Sequence, residues 1–412
     1  MKIDLHPLFL GTAQGEEAEA IVRSCVHCGF CTATCPTYQL LGDERDGPRG
    51  RIYLIKQLLE EGSATEKTRT HLDRCLTCRA CETTCPSGVQ YGRLADIGRE
   101  IMEQQQRRPW RQRLVRWGMR QVLPYAPRFT PLLRIGHLLR PLLPAAVANK
   151  IPARQIPARR PQQRHARVML ALAGCVQPGA TPNTNIAAAR VLDKLGITLL
   201  EPSGAGCCGA LSYHLSQSDE GLDFARRNID SWWPLVEQGA EAVVVTASGC
   251  GVMVKEYGRL LAADPVYGEK AKAVSALTLD LSEVVAAEDL SVLQLQHRDQ
   301  KIAVHCPCSL QHGQQLPDTV NNILASLGFP LAQTRDSHLC CGSAGTYSIL
   351  QPALSQQLLA NKVAALRVDN PHRIVTANVG CQLHLGSAAG IPVQHWIEII
   401  DEALVADAVA PD

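Results

Sequence analysis

The chain has 412 residues, 46% of them apolar, so it is long enough for two or three domains, and its formal net charge of +2 favours no class of partner. Its seventeen cysteines fall in spaced motifs, and the first residues lack a secretory signal, which favours metal ligation in a reducing compartment over disulfides. No uncharged apolar run reaches the length of a membrane-spanning helix, so we expect a soluble or peripheral protein.

Two copies of the pattern C-x2-C-x2-C-x3-C-P lie in the first hundred residues, ending at Pro36 and Pro86. This is the bacterial ferredoxin run for [4Fe-4S] clusters, in which three cysteines bind one cluster and the fourth, before the proline, binds the other. The first cluster is therefore predicted to have the ligands Cys25, Cys28, Cys31 and Cys85. The second is predicted to have the ligands Cys75, Cys78, Cys81 and Cys35. Zinc is the alternative for C-x2-C pairs, but it requires neither the four-cysteine run nor the proline.

A helix is predicted between the two runs, over residues 47–62. Pro48 stands near its start and Gly62 where a C-terminal cap would fall, while Ile52 and Ile55 share one apolar face with two leucines. The two runs are also much farther apart than in small β-rich ferredoxins. We therefore expect an α-helical ferredoxin domain over residues 1–100, whose neighbouring clusters are suited to one-electron transfer.

The segment 101–166 has a different composition. From Arg107 to Arg167 there are fifteen Lys or Arg and no Asp or Glu, interleaved with prolines, leucines, Trp110 and Trp117. Three interpretations remain open: a proline-rich basic linker, a basic amphipathic segment on an anionic membrane surface, or a docking strip for an acidic partner subunit. We expect this segment to make a peripheral contact with a membrane or a partner.

An internal repeat occupies the rest of the chain, as two units at 167–295 and 296–412. Each copy has an apolar strand, a cysteine, a helical stretch, a Cys-Cys-Gly triplet, a second apolar strand and a final cysteine. The first cysteine precedes the triplet by 32 positions in both copies, from Cys175 to Cys207 and from Cys308 to Cys340. The pattern predicts two α/β units, each reading strand–helix–strand–CCG–helix–strand, with cysteines beyond the strand ends.

These cysteines either bind a metal or are buried apolar residues. In the second copy the candidate ligands of a third site are Cys308, Cys340, Cys341, Cys381, Cys306 and His384. The first copy offers Cys175, Cys207, Cys208 and Cys250. His384 could bind a metal, whereas the equivalent Met253 would be a poor ligand for oxidised iron, so the second copy is the favoured one.

The two ferredoxin runs followed by two CCG units resemble the iron–sulfur subunits of respiratory flavin dehydrogenases, glycolate oxidase iron–sulfur subunits in particular. The resemblance covers essentially the whole chain, and the stretches CVHCGFCTATCPTY and GPRGRIY carry it most specifically. Related proteins are the third subunit of anaerobic glycerol-3-phosphate dehydrogenase, lactate-utilisation subunits and heterodisulfide reductase subunits. In the last group each CCG unit has a further cysteine, where this chain has Met253 and His384.

The resemblance implies an electron-transfer subunit with no catalytic residue of its own. A partner subunit containing FAD would oxidise glycolate to glyoxylate, and electrons would pass through two [4Fe-4S] clusters, with a further cluster in the CCG half also possible, towards a quinone or a similar acceptor. The complex would lie in the cytoplasm, peripheral on the cytoplasmic face of a bacterial inner membrane. The alternatives are a related glycerol-3-phosphate or lactate dehydrogenase, or a thiol–disulfide redox subunit. A zinc protein that binds nucleic acid is disfavoured, because stacking aromatics are few.

Overall fold

The computed structural model describes residues 1–144, 148, 150–296 and 298–405, which fall into two compact units. The first unit contains residues 1–118, 214–216 and 338–362. The second unit contains residues 119–213, 217–337 and the described residues from 363 onward. The segment with the second Cys-Cys-Gly triplet thus belongs to the same unit as the ferredoxin runs.

The first unit is built from helices, and no strand occurs in its described residues. Seven helices precede residue 106: α1 Ala13–Ser24, α2 Phe30–Ala33, α3 Pro36–Leu41, α4 Pro48–Glu61, α5 Glu66–Asp73, α6 Ala80–Thr83 and α7 Tyr91–Gln105. The predicted helix between the runs is confirmed as α4, with Pro48 in its first turn and Gly62 left-handed at its end. The domain boundary expected at residue 100 falls inside α7.

The proline-rich basic segment also forms helices, α8 Trp110–Val122 and α9 Ala126–Leu139. Pro127 lies in the first turn of α9, where a missing N–H costs nothing, although Pro131 lies inside the helix. A proline-rich linker was one of the three interpretations of this segment, and the two helices differ from that one.

Four parallel strands form the sheet of the first cysteine-rich copy, in the order β2-β1-β3-β4. They are β1 Arg167–Ala171, β2 Ile197–Leu200, β3 Val243–Val245 and β4 Thr278–Asp280. The connecting helices are α10 Gln177–Ala180, α11 Asn183–Lys194, α12 Ala210–His214, α13 Ser218–Glu237, α14 Ser248–Lys255, α15 Tyr257–Leu260 and α16 Gly268–Leu277, with α17 Leu281–Ala286 after β4. The predicted parallel α/β layer is present, and β4 extends it.

The second copy has three parallel strands, in the order β5-β6-β7. They are β5 Ile302–His305, β6 Arg373–Thr376 and β7 Val393–His395. The helices are α18 Thr319–Ser326, α19 Tyr347–Leu350, α20 Pro352–Leu366, α21 Val379–Gly386 and α22 Trp396–Ala403, and a π-helical turn spans Ser309–Gly313.

The second strand expected in this copy is reduced to one bridge, between Ile302 and Leu331. Pro330 precedes that bridge and has no N–H to donate, so the backbone makes only the bonds from Ile302 to Pro330 and from Ala332 to Ile302. The expectation of a full strand before the second Cys-Cys-Gly triplet was therefore wrong.

The two sheets of the second unit share one apolar core. Helix α11 of the first copy and helix α22 of the second contribute Val191, Leu192, Trp396 and Ile400 to it. Polar contacts join the same helices: Thr184 donates a hydrogen bond of 2.6 Å to Glu398, and Arg190 pairs with Asp401. The repeat is thus held together as a fused pair of sheets.

Candidate metal centres

The first ferredoxin run folds as a loop between α1 and α2 that encloses a solvent-open cavity of about 410 Å³. His27 and Gly29 both have left-handed backbone conformations, which turn the chain sharply between the cysteines. Five thiols lie in the cavity wall, those of Cys25, Cys28, Cys31, Cys81 and Cys85. Three of the thiols therefore come from the first run, and Cys85 is the last cysteine of the other run.

The second run repeats this arrangement between α5 and α6, around a cavity of about 300 Å³. Thr77 and Arg79 take the left-handed conformations here. The wall contains the thiols of Cys35, Cys75, Cys78 and Cys81. The eight cysteines are thus brought together in the two crossed groups that the sequence predicts, with Cys81 bordering both cavities. Their ligation of iron stays a prediction.

The thiols differ in electrostatic environment. Burial raises the pKa of Cys31 to about 11 and raises that of Cys81 well above its usual range. Cys75 is equally buried, and burial alone would raise its pKa as well. The guanidinium groups of Arg51 and Arg99 and a hydrogen bond from Tyr91 outweigh this, so the pKa of Cys75 is lowered overall.

Sequence reasoning missed Arg51 and Tyr91, which border the second cavity. Arg51 was overlooked because the apolar face of α4 was traced through Ile52, Ile55 and the leucines. The signal was its position four residues before Ile55, on the buried face of the helix. Tyr91 begins α7 directly after the Cys-Pro turn of the second run, and no motif marks it.

The four cysteines of the first cysteine-rich copy do converge. The thiol of Cys207 is hydrogen-bonded to those of Cys175 and Cys208, and Cys208 is hydrogen-bonded to Cys250. These contacts and burial hold the pKa of the Cys175 and Cys208 thiols well above the usual range. Tyr257 donates a hydrogen bond of 2.7 Å to the Cys208 carbonyl. The four thiols of this copy therefore lie in one connected group.

The candidate ligands of the second copy are distributed over both units. Cys306 and Cys308 follow β5, while Cys381 and His384 lie in α21, and these four residues belong to the second unit. The amide of Asn378 contacts the Cys381 sulfur at 3.5 Å. Cys340 and Cys341, both buried, belong to the first unit. That the six residues form one site stays a prediction.

The glycine of each triplet has the same backbone conformation in the two copies. Gly209 and Gly342 both have left-handed conformations, with φ of 91° and 88°. A side chain at Gly209 would lie 2.2 Å from the carbonyl oxygen of Gly221, and one at Gly342 would lie 2.7 Å from that of Ser355. Each triplet therefore turns tightly against the second helix after it, α13 in the first copy and α20 in the second, and only glycine fits there.

Histidines distinguish the second copy from the first. His305 ends β5 and is 1% exposed, and the equivalent position three residues before Cys175 is Leu172, also 1% exposed. His384 likewise stands where the first copy has Met253. The second copy therefore has two imidazoles where the first has apolar side chains, and imidazole is a common metal ligand. His305 was not among the sequence candidates, although the repeat alignment reveals it.

Tyr347 lies between the second ferredoxin run and the second triplet, within the first unit. Its hydroxyl donates a hydrogen bond of 3.1 Å to the carbonyl of Arg74, the residue before Cys75. Burial raises its pKa, and the neighbouring thiols of Cys75 and Cys340 raise it further. The Cys340 segment therefore packs near the second run.

Helix α8 has one apolar face open to solvent. Trp110, Leu114 and Trp117 are each more than half exposed, and they recur at helical spacing. Arg111 lies 5.5 Å from the Trp110 ring, whereas Arg116 and Arg120 pair with Asp73 and Glu220. Only part of the basic strip is therefore available to a partner. Across the described residues, no helix is long and apolar enough to cross a bilayer.

Two domain families match the chain. The description "4Fe-4S dicluster domain" applies to residues 21–89, and "Cysteine-rich domain" applies to residues 169–255 and 302–386. The first match spans the two ferredoxin runs, and the second pair of matches coincides with the internal repeat.

Two of three named relatives match the chain over nearly its full length, and the third matches about half of it. The glycolate oxidase iron–sulfur subunit of Escherichia coli (strain K12) is 57% identical over 95% of this chain and 96% of its own. The probable glycolate oxidase iron–sulfur subunit of Bacillus subtilis is 30% identical over 93% and 94%. Lactate utilization protein A of Bacillus licheniformis is 26% identical over 53% of this chain and 92% of its own.

One solved structure, a hypothetical protein from Helicobacter pylori, shares the fold. It covers 97% of this chain and 74% of its own, with a TM-score of 0.55 and 10% sequence identity. That likeness concerns the fold alone.

Proposed function

Because the chain belongs to the family of glycolate oxidase iron–sulfur subunits, we propose that it is the electron-transfer subunit of an oxidase of glycolate or a related 2-hydroxy acid. It is an oxidoreductase component whose cofactors are iron–sulfur clusters of the [4Fe-4S] type. A flavin-containing partner would oxidise the acid, and the electrons would leave this subunit for a quinone or a similar acceptor. The observation that carries the proposal is the pair of cavities, each bordered by three cysteines of one run and by at least one cysteine of the other.

The residues around both cavities fit cubane clusters. We assign Cys25, Cys28, Cys31 and Cys85 to the first cluster, and Cys75, Cys78, Cys81 and Cys35 to the second. When bound, each cluster supplies a site that accepts and releases one electron at a time. The positive-φ residues of each loop turn three sulfurs towards the cavity, and the Cys-Pro turns direct the fourth sulfur to the neighbouring cavity. The shared border at Cys81 keeps the two sites adjacent.

A third site in the second cysteine-rich copy belongs to the same proposal. Its candidate ligands are Cys306, Cys308, Cys340, Cys341, Cys381 and His384, and the buried His305 supports metal binding in this copy. Tyr347 supports an exit route from the second run, since it contacts the backbone beside Cys75 within the unit that holds Cys340. The first copy offers Cys175, Cys207, Cys208 and Cys250, whose mutual hydrogen bonds support a structural role.

Helix α8 supports association with a membrane surface or a partner subunit. Its exposed Trp110, Leu114 and Trp117 would enter the interface, and Arg111 and Arg113 would face anionic groups. We place the complex in the cytoplasm, at the inner face of the bacterial membrane. Related lactate utilization proteins make lactate the second candidate substrate.

The test is purification of the intact complex under anaerobic conditions. We expect a brown subunit with at least about eight irons and as many acid-labile sulfides per chain, four of each for every cluster. Anaerobic assays with glycolate, lactate and glycerol 3-phosphate would then identify the substrate class. A colourless subunit with zinc in place of iron would contradict the proposal.

A further inference from the structure

The second cavity has a buried positive charge in its wall. Arg51 is 1% exposed, and it interacts electrostatically with the thiols of Cys75 and Cys35. A buried arginine stays charged, because its pKa is far above neutrality. It therefore acts as a fixed cation beside two of the four sulfurs assigned to the second cluster.

Hydrogen bonds hold that cation in place. Arg51 donates a hydrogen bond of 2.8 Å to the carbonyl oxygen of His71 and one of 3.1 Å to the hydroxyl of Thr37. Its guanidinium lies 3.5 Å from the carboxylate of Asp46. The Asp46 carboxylate is shared with His71 and with Arg74, whose guanidinium lies closer, at 2.8 Å. One carboxylate thus faces two guanidinium groups, and a net positive charge remains.

Hydrogen bonds to sulfur add to this field. The Tyr91 hydroxyl donates to the Cys75 sulfur at 3.5 Å, and the Thr77 N–H donates to the same sulfur at 3.4 Å. Arg99 donates a hydrogen bond of 2.6 Å to the Cys75 carbonyl oxygen and one of 2.8 Å to the Thr77 hydroxyl. A second cation therefore contacts this loop. Each of these groups stabilises negative charge on the sulfur.

The first cavity has a weaker counterpart. Arg49 borders it, but the guanidinium is bound to Glu44 at 2.6 Å, and both side chains are about one-third or more exposed. Cys28 is exposed there as well. Solvent screens the Arg49 guanidinium, and its carboxylate partner cancels most of the charge.

We propose that Arg51 and Tyr91 are positioning residues that make the second iron–sulfur site the electron acceptor of the pair; this rests on the ligation proposed above. Reduction adds one negative charge to a cluster and its thiolates, so a fixed cation and donated hydrogen bonds favour the reduced state. Water at the exposed first site acts in the same direction, so the proposal requires the buried charge to have the larger effect. One electron leaves the first cluster, which is oxidised, and reduces the second, with no proton transferred.

The test is a redox titration of the full chain, followed by electron paramagnetic resonance, with Cys28→Ser used to assign the signal of the first site. In the parent the second site has the higher midpoint potential. Arg51→Gln lowers that potential by at least 59 mV, a tenfold change in a one-electron equilibrium, and leaves the first site unchanged. Tyr91→Phe lowers it by less, and Arg51→Lys, which keeps the charge, restores most of the loss.

Arg45→Gln is the matched control, because Arg45 is exposed, pairs with Asp43 and lines neither cavity. If Arg51→Gln does not accumulate, Tyr91→Phe decides, since it removes one oxygen from a ring that remains buried. Unchanged potentials in Tyr91→Phe, equal shifts at both sites, or a higher potential at the first site in the parent would overturn the inference. Absence of both cluster signals from the parent would instead overturn the proposed function, and the inference with it.

Discussion

The two duplicated regions of this protein combine their copies differently. The ferredoxin runs are interlocked, because each cavity takes its fourth cysteine from the other run. The first cysteine-rich copy is self-contained, with its four thiols hydrogen-bonded to one another. Interlocking would place two redox sites next to each other, whereas the thiols of the first cysteine-rich copy meet within that copy. The two duplications therefore arrange their cysteines in different ways.

The largest expected effect is on the interlocked pair. Cys85→Ser should remove or alter the cluster held by Cys25, Cys28 and Cys31, while the cluster of its own run survives. The matched variant Cys35→Ser should have the opposite selectivity. Paramagnetic resonance of the dithionite-reduced proteins measures both. Damage confined to the run that carries the substitution would show that the runs are not interlocked.

The next largest effect is a difference in activity and metal content between variants of the two cysteine-rich copies. Cys340→Ser with Cys341→Ser should lower the substrate-driven activity of the complex at least about tenfold and reduce its metal content, as loss of a metal ligand does. Cys207→Ser with Cys208→Ser should leave activity within a few-fold and change mainly the unfolding temperature. Equal losses of activity and metal in the two double variants would remove the distinction between the copies.

A pH dependence tests how the two copies are fused. Burial raises the pKa of Glu398, which accepts a hydrogen bond from Thr184 of the first copy, to about 7, against 4.5 for a free glutamate. The folded state therefore binds the proton more tightly, and this stabilisation is complete below about pH 4.5 and is lost as the pH rises through about 7. Replacing the Glu398 carboxyl by a neutral amide should therefore stabilise the folded state at high pH.

We expect Glu398→Gln to gain up to about 3 kcal/mol relative to the parent between about pH 5 and about pH 8. Urea denaturation at the two pH values measures the difference. Asp223→Asn, at an exposed carboxylate that pairs with Arg226, is the control and should show no such trend. Parallel curves of unfolding free energy against pH for the parent and Glu398→Gln would mean that the carboxyl is not protonated where the two copies meet.

The smallest effect concerns helix α8, which belongs to neither duplication. Arg111→Gln with Arg113→Gln should weaken binding to anionic vesicles by about 2 kcal/mol, roughly thirtyfold, with the loss shrinking as salt rises. Arg23→Gln with Arg45→Gln removes two other exposed charges as a control. Arg116 and Arg120 are unsuitable for this test because they pair with Asp73 and Glu220. Equal vesicle binding by all three proteins would exclude the membrane role.

Local patterns predicted much of this structure. The Cys-Pro runs, helix α4 between Pro48 and Gly62, and the parallel strands of both copies follow from spacing, periodicity and turn residues. These features depend on neighbours in sequence, so a single chain reveals them. The grouping of cysteines around the two cavities is also the predicted one, because the run itself encodes which cysteine points away.

Features that depend on distant contacts were not predictable in this way. Arg51 is a charge on a buried helix face, and only the fold shows that Thr37, His71 and Asp46 receive its hydrogen bonds. The packing of Tyr347 beside Arg74 joins residues 273 positions apart. Pro330 reduced an expected strand to a bridge, since one missing donor matters more at a sheet edge than apolar composition does.

The measurement that most directly tests the central claim uses the intact complex and its own substrate. Glycolate would be added anaerobically without an electron acceptor, and the sample would be frozen and examined by electron paramagnetic resonance. We expect two interacting reduced [4Fe-4S] signals from this subunit. A reduced flavin accompanied by no iron–sulfur signal would contradict the account, since electrons would then bypass the paired cavities.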